Sequence, residues 1–321
     1  MNGNILLLMP DFFDYPQMII EELQSRGYNV DFICNESDEF RRSLSNKSLF
    51  HRALRKVFRN YIWQKDIAKA ENAVNEMYAD QLSQLRKDSD YVICIKGDMF
   101  PERQYSDLKN RYKNAKFVIY QWDDLSLLVK TKQSKWFEKH YSYNIEDCKK
   151  NDFQYLPMFS KKVGNEKNVT KKYDIAIIGT IDHAHQKRLH IIEKIYNTYN
   201  NRYKFFLYLY RRDNITTHLP SYTEKMPFDG YVNALKESRC VLDTTLINQE
   251  GPTTRFNDAL GTDTKVITTN QNIKNYPIYS DNILIIDESN PIIDEKFVLS
   301  PYHHTDLEFM SVEKWCDIIL S

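Results

Sequence analysis

Apolar positions in this chain cluster into short blocks that alternate between a strand-like and a helix-like period. ILLLMP (5–10) is a continuous apolar run of buried-strand length. Asp14 then stands where a helix cap belongs, with Pro16 in the first turn, Ile19, Ile20 and Leu23 on one face and Gly27 at the end. NVDFIC (29–34) is the next strand, so the chain opens as a βαβ unit of a parallel sheet. A long helix fits 66–87, with Ile67, Ala70, Val74, Met77, Leu82 and Leu85 on one stripe. YVICIKG (91–97) and KFVIYQW (116–122) predict two more strands with a helix at about 102–113 between them, and short final strands fall near 141–144 and 155–159.

SKKVGNEKNVTKK (160–172) interrupts this pattern with a lysine-rich, nearly apolar-free stretch that reads as a linker over 161–172. The alternation then restarts. YDIAIIGT (173–180), a helix at 185–198, YKFFLYLY (203–210), a helix at 230–238 and RCVLDTT (239–245) follow in turn. A strand at 265–269, another at 283–286 and a last amphipathic element at 311–320 complete it. The predicted class is α/β: two Rossmann-like, doubly wound domains, 1–160 and 173–309, facing a cleft lined by strand-end loops. A C-terminal helix within 310–321 is expected to pack back on the first domain.

Composition narrows the partners. With 44 basic and 44 acidic residues there is no bulk field to favour nucleic acid, so electrostatic partners must be read from local patches. The five cysteines are scattered, form no C-x-x-C pair and lie mostly in apolar segments, which points to a reducing, cytoplasmic setting. MNGNILLLMPDFF has no basic leader and reads as a first strand rather than a signal peptide. No stretch approaches the roughly 18 apolar residues of a membrane span.

The chemistry concentrates in two strand-end loops of the second half. Gly179-Thr180 closes a strand and precedes a helix carrying Lys187 and Arg188, an arrangement that suits either phosphate contact at a helix start or an ordinary tight turn. NQEGPTTRFNDALGTDTKVITTN (248–270) places a Gly251-Pro252 turn, then Thr253 and Thr254 as helix caps, then Arg255 in the first helical turn. An idle cation there opposes the helix dipole, whereas an anion held by Arg255 and the amides reverses the sign. Arg255 and Asp258 are three apart and share a face, so the segment is either a local Arg–Asp pair with a threonine cap or a clamp for diphosphate and ribose, with Asn257 as a second ribose partner.

This segment, with YDIAIIGTIDHAHQKR upstream, resembles the carboxyl-terminal domain of GT-B glycosyltransferases, notably CgeB-type and capsular or lipopolysaccharide biosynthesis enzymes. Gly251, Thr253, Thr254, Arg255, Asp258 and Asn270 match the family pattern, which usually carries glutamate where this chain has Asp258. The resemblance is strong over 230–280, moderate at 173–190 and architectural before 160. It implies a nucleotide-sugar donor bound mainly by the second domain and a glycan or lipid-linked glycan acceptor on the first. It implies no cofactor and no metal: Arg255, Arg188 and helix N-termini offset the charge of the leaving diphosphate. A nucleotide-sugar 2-epimerase and a non-catalytic two-domain binding or scaffold protein remain the alternatives.

An inverting transfer needs a base for the attacking hydroxyl. Strand ends of the first half offer Asp11, Asp14, Asp98 and the pair Asp123 and Asp124 for that role, with Asp98, Asp123 and Asp124 taken as the catalytic candidates and Asp14 and Trp122 towards the acceptor; each aspartate equally suits a helix cap. The one strict D-x-D, Asp88-Ser89-Asp90, precedes its strand, and neither His183/His185 nor His303/His304 has dedicated metal-ligand spacing. LFHRALRKVFRNYIWQK (49–65) carries five Lys or Arg, no acid and an apolar stripe, so it reads as a helix packed on the first domain or as a peripheral contact with an anionic membrane.

Overall fold

The computed structural model describes residues 2–35, 78, 81–98, 100, 102–128, 135–160, 169–244 and 250–321. The basic segment 49–65, most of the helix expected at 66–87, linker residues 161–168 and residues 245–249 lie outside that set. Contacts between Cα atoms divide the chain into two compact units: 1–142 with 152–154, and 143–151 with 155–321.

In the first unit the chain runs β1 (Gly3–Met9), α1 (Tyr15–Ser25), β2 (Tyr28–Cys34), β3 (Tyr91–Ile95), α2 (Glu102–Arg111), β4 (Lys116–Gln121) and β5 (Lys139–Ser142). A helix that the alternation does not predict, α3 (Ile145–Asn151), is grouped with the second unit and precedes the edge strand β6 (Gln154–Tyr155). The sheet order is β2-β1-β3-β4-β5-β6, with parallel neighbours from β2 through β5. Near-continuous apolar runs on β1, β3 and β4 are buried on both faces, as a sheet covered on both sides requires. Leu6, Leu8, Val92, Cys94, Phe117 and Ile119 pack one face against Tyr105 and Leu108 of α2. The carboxylate of Asp90 accepts the backbone N–H of Asn4 at 2.7 Å, so the D-x-D aspartate ties the amino ends of β1 and β3.

The second unit repeats the alternation: β7 (Tyr173–Ile181), α4 (Gln186–Tyr199), β8 (Phe205–Arg211), β9 (Ser221–Tyr222), α5 (Phe228–Lys236), β10 (Ser238–Asp243), α6 (Thr254–Leu260), β11 (Lys265–Thr268), β12 (Ile283–Ile285), α7 (Glu295–Leu299) and α8 (Val312–Leu320). Its order is β12-β11-β10-β7-β8-β9, again parallel. Leu189, Ile192 and Ile195 of α4 meet Ile175 and Ile177 of β7 and Leu209 of β8 in the core. Trp315 of α8 packs edge-on against Phe159, and Ser160 donates its N–H to Met310 O at 3.0 Å. Both Phe159 and Ser160 lie in the second unit. The two units are thus each a Rossmann-like, parallel α/β sheet.

Candidate functional site

Ligands of open parallel sheets sit beyond the carboxyl ends of the strands where the strand order reverses. In the second sheet that point lies between β7 and β10. Asp243 ends β10 and is fully buried. A buried carboxylate is costly without partners, and three reach it. Its Oδ1 accepts from Arg255 Nη1 at 2.7 Å and from the Thr253 hydroxyl at 2.8 Å, and its Oδ2 accepts from the Thr268 hydroxyl at 3.3 Å. The β10–β11 register sets Asp243 beside Thr268, so strand pairing builds this acceptor site.

Arg255 crosses from the first turn of α6 to that carboxylate. Its Nη2 lies 3.8 Å from where a Cβ on Gly179 would stand, so the guanidinium rests over β7. Arg188, near the start of α4, converges on the same place: Nη1 faces Thr180 O at 3.5 Å and Nη2 faces Thr244 O at 3.3 Å. Those acceptors carry no net charge. Burial, and then repulsion from Arg255, pushes the Arg188 guanidinium down to about 10. Among the described residues the buried Nε atoms of both arginines have no hydrogen-bond partner. Close by, Asp182 accepts from His185 Nδ1 at 2.5 Å and pairs with Arg212 at 3.5 Å. Arg255 and Arg212 each pair with a buried carboxylate, while among the described residues Arg188 meets only carbonyls, so its charge has no carboxylate contact.

Several residues take places that spacing did not indicate. Gly179 and Thr180 lie inside β7, paired with Leu209 and Tyr210; the strand runs on to Ile181 and the turn begins at Asp182. Arg255 pairs with Asp243 rather than Asp258. Asp258, only 4% exposed, accepts from the Tyr231 hydroxyl at 3.0 Å. Asn257 is buried and donates to Met158 O at 2.7 Å. Thr253 occupies the N-cap position of α6, yet its hydroxyl serves Asp243 instead of the helix; Thr254, half-buried, opens the helix. A Cβ on Gly251 would stand 2.3 Å from the Tyr143 ring, so only glycine fits there. Asn270 fastens this loop by donating to the carbonyls of Glu250 and Gly251 at 3.1 and 3.2 Å. Asp243 and Asp182 were the missed residues. The signal for Asp243 was a single acid at the end of an apolar strand.

In the first sheet the order reverses between β1 and β3. Lys96 and Gly97, just past β3, both adopt left-handed backbone (φ 66° and 73°), a strained choice for lysine. The Lys96 ammonium stands 3.1 Å from Asp123 and 4.0 Å from Asp98. Asp98 and Asp124 are buried, whereas the Asp123 side chain is 39% exposed. Trp122 meets Phe12 and Tyr15 edge-to-face, each at 5.7 Å. Asp14 takes the N-cap position of α1 without a side-chain capping bond. Among the described residues no helix is long and apolar enough to cross a membrane, and no three His, Cys, Asp or Glu side chains group as metal ligands.

No family model and no curated protein matches the chain. Solved structures with a similar layout include a Listeria monocytogenes protein assigned as a UDP-N-acetylglucosamine 2-epimerase (10% identity over 90% of this chain and 85% of that one, TM-score 0.48). Others are the glycosyltransferase SnogD from Streptomyces nogalater (10%, 90% and 87%, TM-score 0.45) and the spinosyn rhamnosyltransferase SpnG (10%, 98% and 91%, TM-score 0.43). The functional reading accordingly rests on the site itself.

Proposed function

We propose that the protein is a glycosyltransferase of the GT-B kind. It transfers a sugar from a nucleotide-diphosphate donor to a glycan acceptor of the capsular or lipopolysaccharide type. The observation that carries this reading is the Arg188–Arg255 pair at the switch point of the second sheet, with buried Nε atoms that have no partner among the described residues and an Arg188 charge that meets only carbonyls. A diphosphate laid there supplies the missing negative charge and accepts from both guanidinium groups. As the glycosidic bond breaks, charge builds on that diphosphate, and preorganised cations stabilise the change. Thr254 and the Gly251 loop border the anion. Asp123, the exposed carboxylate of the first unit, is the base for the acceptor hydroxyl, and Trp122 with Phe12 offers aromatic surface to a sugar ring.

A thermal-shift screen with UDP-, GDP-, CDP- and CMP-sugars tests this. One nucleotide class should raise the melting temperature of the wild type and fail to raise that of Arg188→Met. No stabilisation by any of them at millimolar concentration overturns the reading. Turnover of the stabilising donor without acceptor, yielding its epimer, moves the protein to the 2-epimerase class.

A further inference from the structure

The row of side chains that β7 lays on the α4 side of its sheet has a gap. Residues two apart share a face of a strand, so Ile175, Ile177, Gly179 and Ile181 form one row. The three isoleucines are buried in the core with Leu189 and Ile192 of α4 and Leu209 of β8. Gly179 stands among them without a side chain. β7 is an inner strand, between β10 and β8, yet Ile178, Gly179 and Thr180 are only half-buried while Ile177 and Ile181 on either side are buried. Solvent therefore reaches the strand backbone where the row is interrupted.

Two common reasons for a glycine fail here. The backbone of Gly179 is regular strand paired with Leu209, not the left-handed conformation of Gly97. Nor is a side chain excluded by crowding, as it is at Gly251. The one described atom within 4 Å of a Cβ at Gly179 is Arg255 Nη2, at 3.8 Å, an ordinary van der Waals contact. A glycine inside a strand gives up packing and costs chain entropy, and it often marks a place where a ligand approaches the backbone.

The donor that faces this place is fixed from behind. Asp243 holds Arg255 by Nη1 at 2.7 Å, and the same carboxylate oxygen accepts from the Thr253 hydroxyl. Among the described residues Nη2 has no acceptor, and the Arg255 side chain is 18% exposed. The next residue along β7, Thr180, turns its carbonyl to Arg188 Nη1 at 3.5 Å. Gly179 thus lies under one guanidinium and beside the strand contact of the other.

We infer that Gly179 is a specificity-determining residue, whose missing side chain leaves room for a phosphate group of the donor to lie against β7 and accept from Arg255 Nη2. The inference rests on the anion-binding reading above. It makes side-chain size at position 179, and not charge alone, the control on what the arginine site admits.

The test uses the full chain and inorganic diphosphate as probe, with calorimetric titration beside thermal melting. Gly179→Ala should melt at or above the wild-type temperature, because its Cβ makes only an ordinary contact with Arg255 among the described residues. Its affinity for diphosphate should nevertheless fall roughly 10-fold, and that of Gly179→Val roughly 100-fold. Gly230→Ala, within α5, should bind as wild type. If Gly179→Ala binds within twofold of wild type while Arg188→Met loses affinity, this inference fails and the arginine site stands. If Gly179→Ala melts several degrees below wild type, the glycine serves the fold and the inference fails as well. If the wild type does not bind inorganic diphosphate at millimolar concentration, this inference and the anion-binding reading fail together.

Discussion

Both sheets reverse their strand order beside their first strand, with one strand on the short side in the first and two in the second, and they fill the switch points with opposite chemistry. Beyond β7 and β10, Arg255 meets the buried Asp243 and Arg188 meets only carbonyls, and among the described residues the Nε atoms of both find no acceptor. Beyond β1 and β3, one lysine sits between two carboxylates, beside an aromatic group of Phe12, Tyr15 and Trp122. The first arrangement wants an anion. The second offers an acceptor for a proton and apolar surface for a ring. A shared fold therefore does not make the halves interchangeable; the side chains at the reversal of strand order separate their roles.

The sharpest way to break the comparison is Arg255→Ala. It strips Asp243 of the one ion-pair partner it has among the described residues while leaving the carboxylate fully buried. We expect a loss of about 3–5 kcal/mol in urea unfolding, because an uncompensated buried charge remains. A loss below about 1 kcal/mol would mean that the Thr253 and Thr268 hydroxyls suffice for Asp243, and Arg255 would lose its place as organiser of the site.

Arg188→Met should separate binding from stability. The Arg188 guanidinium is depressed from its ordinary value to about 10, chiefly by burial. For a base lowered in the folded state, the charged form is penalised at every pH below the folded value. That penalty fades only as pH climbs from about 10 towards the ordinary guanidinium value. Replacing the charge near neutrality therefore leaves stability unchanged or raises it by about 1 kcal/mol, less than the full shift because two carbonyl contacts are lost. Affinity for diphosphate should meanwhile fall roughly 100-fold by calorimetry. A drop of several degrees in melting temperature together with unchanged affinity would reverse the assignment and make Arg188 structural.

Tyr231→Phe addresses Asp258, the residue whose resemblance-based role and observed surroundings differ most. Removing the phenol leaves a buried carboxylate oxygen short of a donor, an expected cost of about 1–2 kcal/mol. If stability holds and nucleoside diphosphates gain affinity over inorganic diphosphate, Tyr231 screens a ribose-binding Asp258. Unchanged ligand preference with lowered stability keeps Asp258 in the α5–α6 packing.

The strands were legible because parallel sheets buried on both faces write continuous apolar runs, as in ILLLM and YVICI. α3 was not, since IEDCKKN carries only Ile145 and Cys148 as apolar residues and gives no stripe. At the site, Arg188 and Arg255 were readable as cations at helix starts after strands. Their partners were not. Asp243 reaches Arg255 through the β10–β11 register, and Asp258 and Asn257 turn inward to Tyr231 and Met158, contacts far apart in the chain. A helical interval of three predicts a shared face, but only tertiary packing decides which face that is.

Asp123→Asn carries the smallest expected effect on the fold and the most specific one on function. Its carboxylate is 39% exposed and its partner is a single ammonium, so loss of the pair should change stability by no more than about 0.5 kcal/mol. Diphosphate binding should be unaffected, because the arginine site belongs to the other unit. Transfer to acceptor should nevertheless slow roughly 100-fold at saturating donor, the scale of a lost general base. Asp98→Asn and Asp124→Asn change buried carboxylates and should show their effects first in stability. Steady-state kinetics on the three variants decides among them. An Asp123→Asn enzyme as fast as wild type would remove the base from this strand end, and the polarity that separates the two sheets would then describe binding alone.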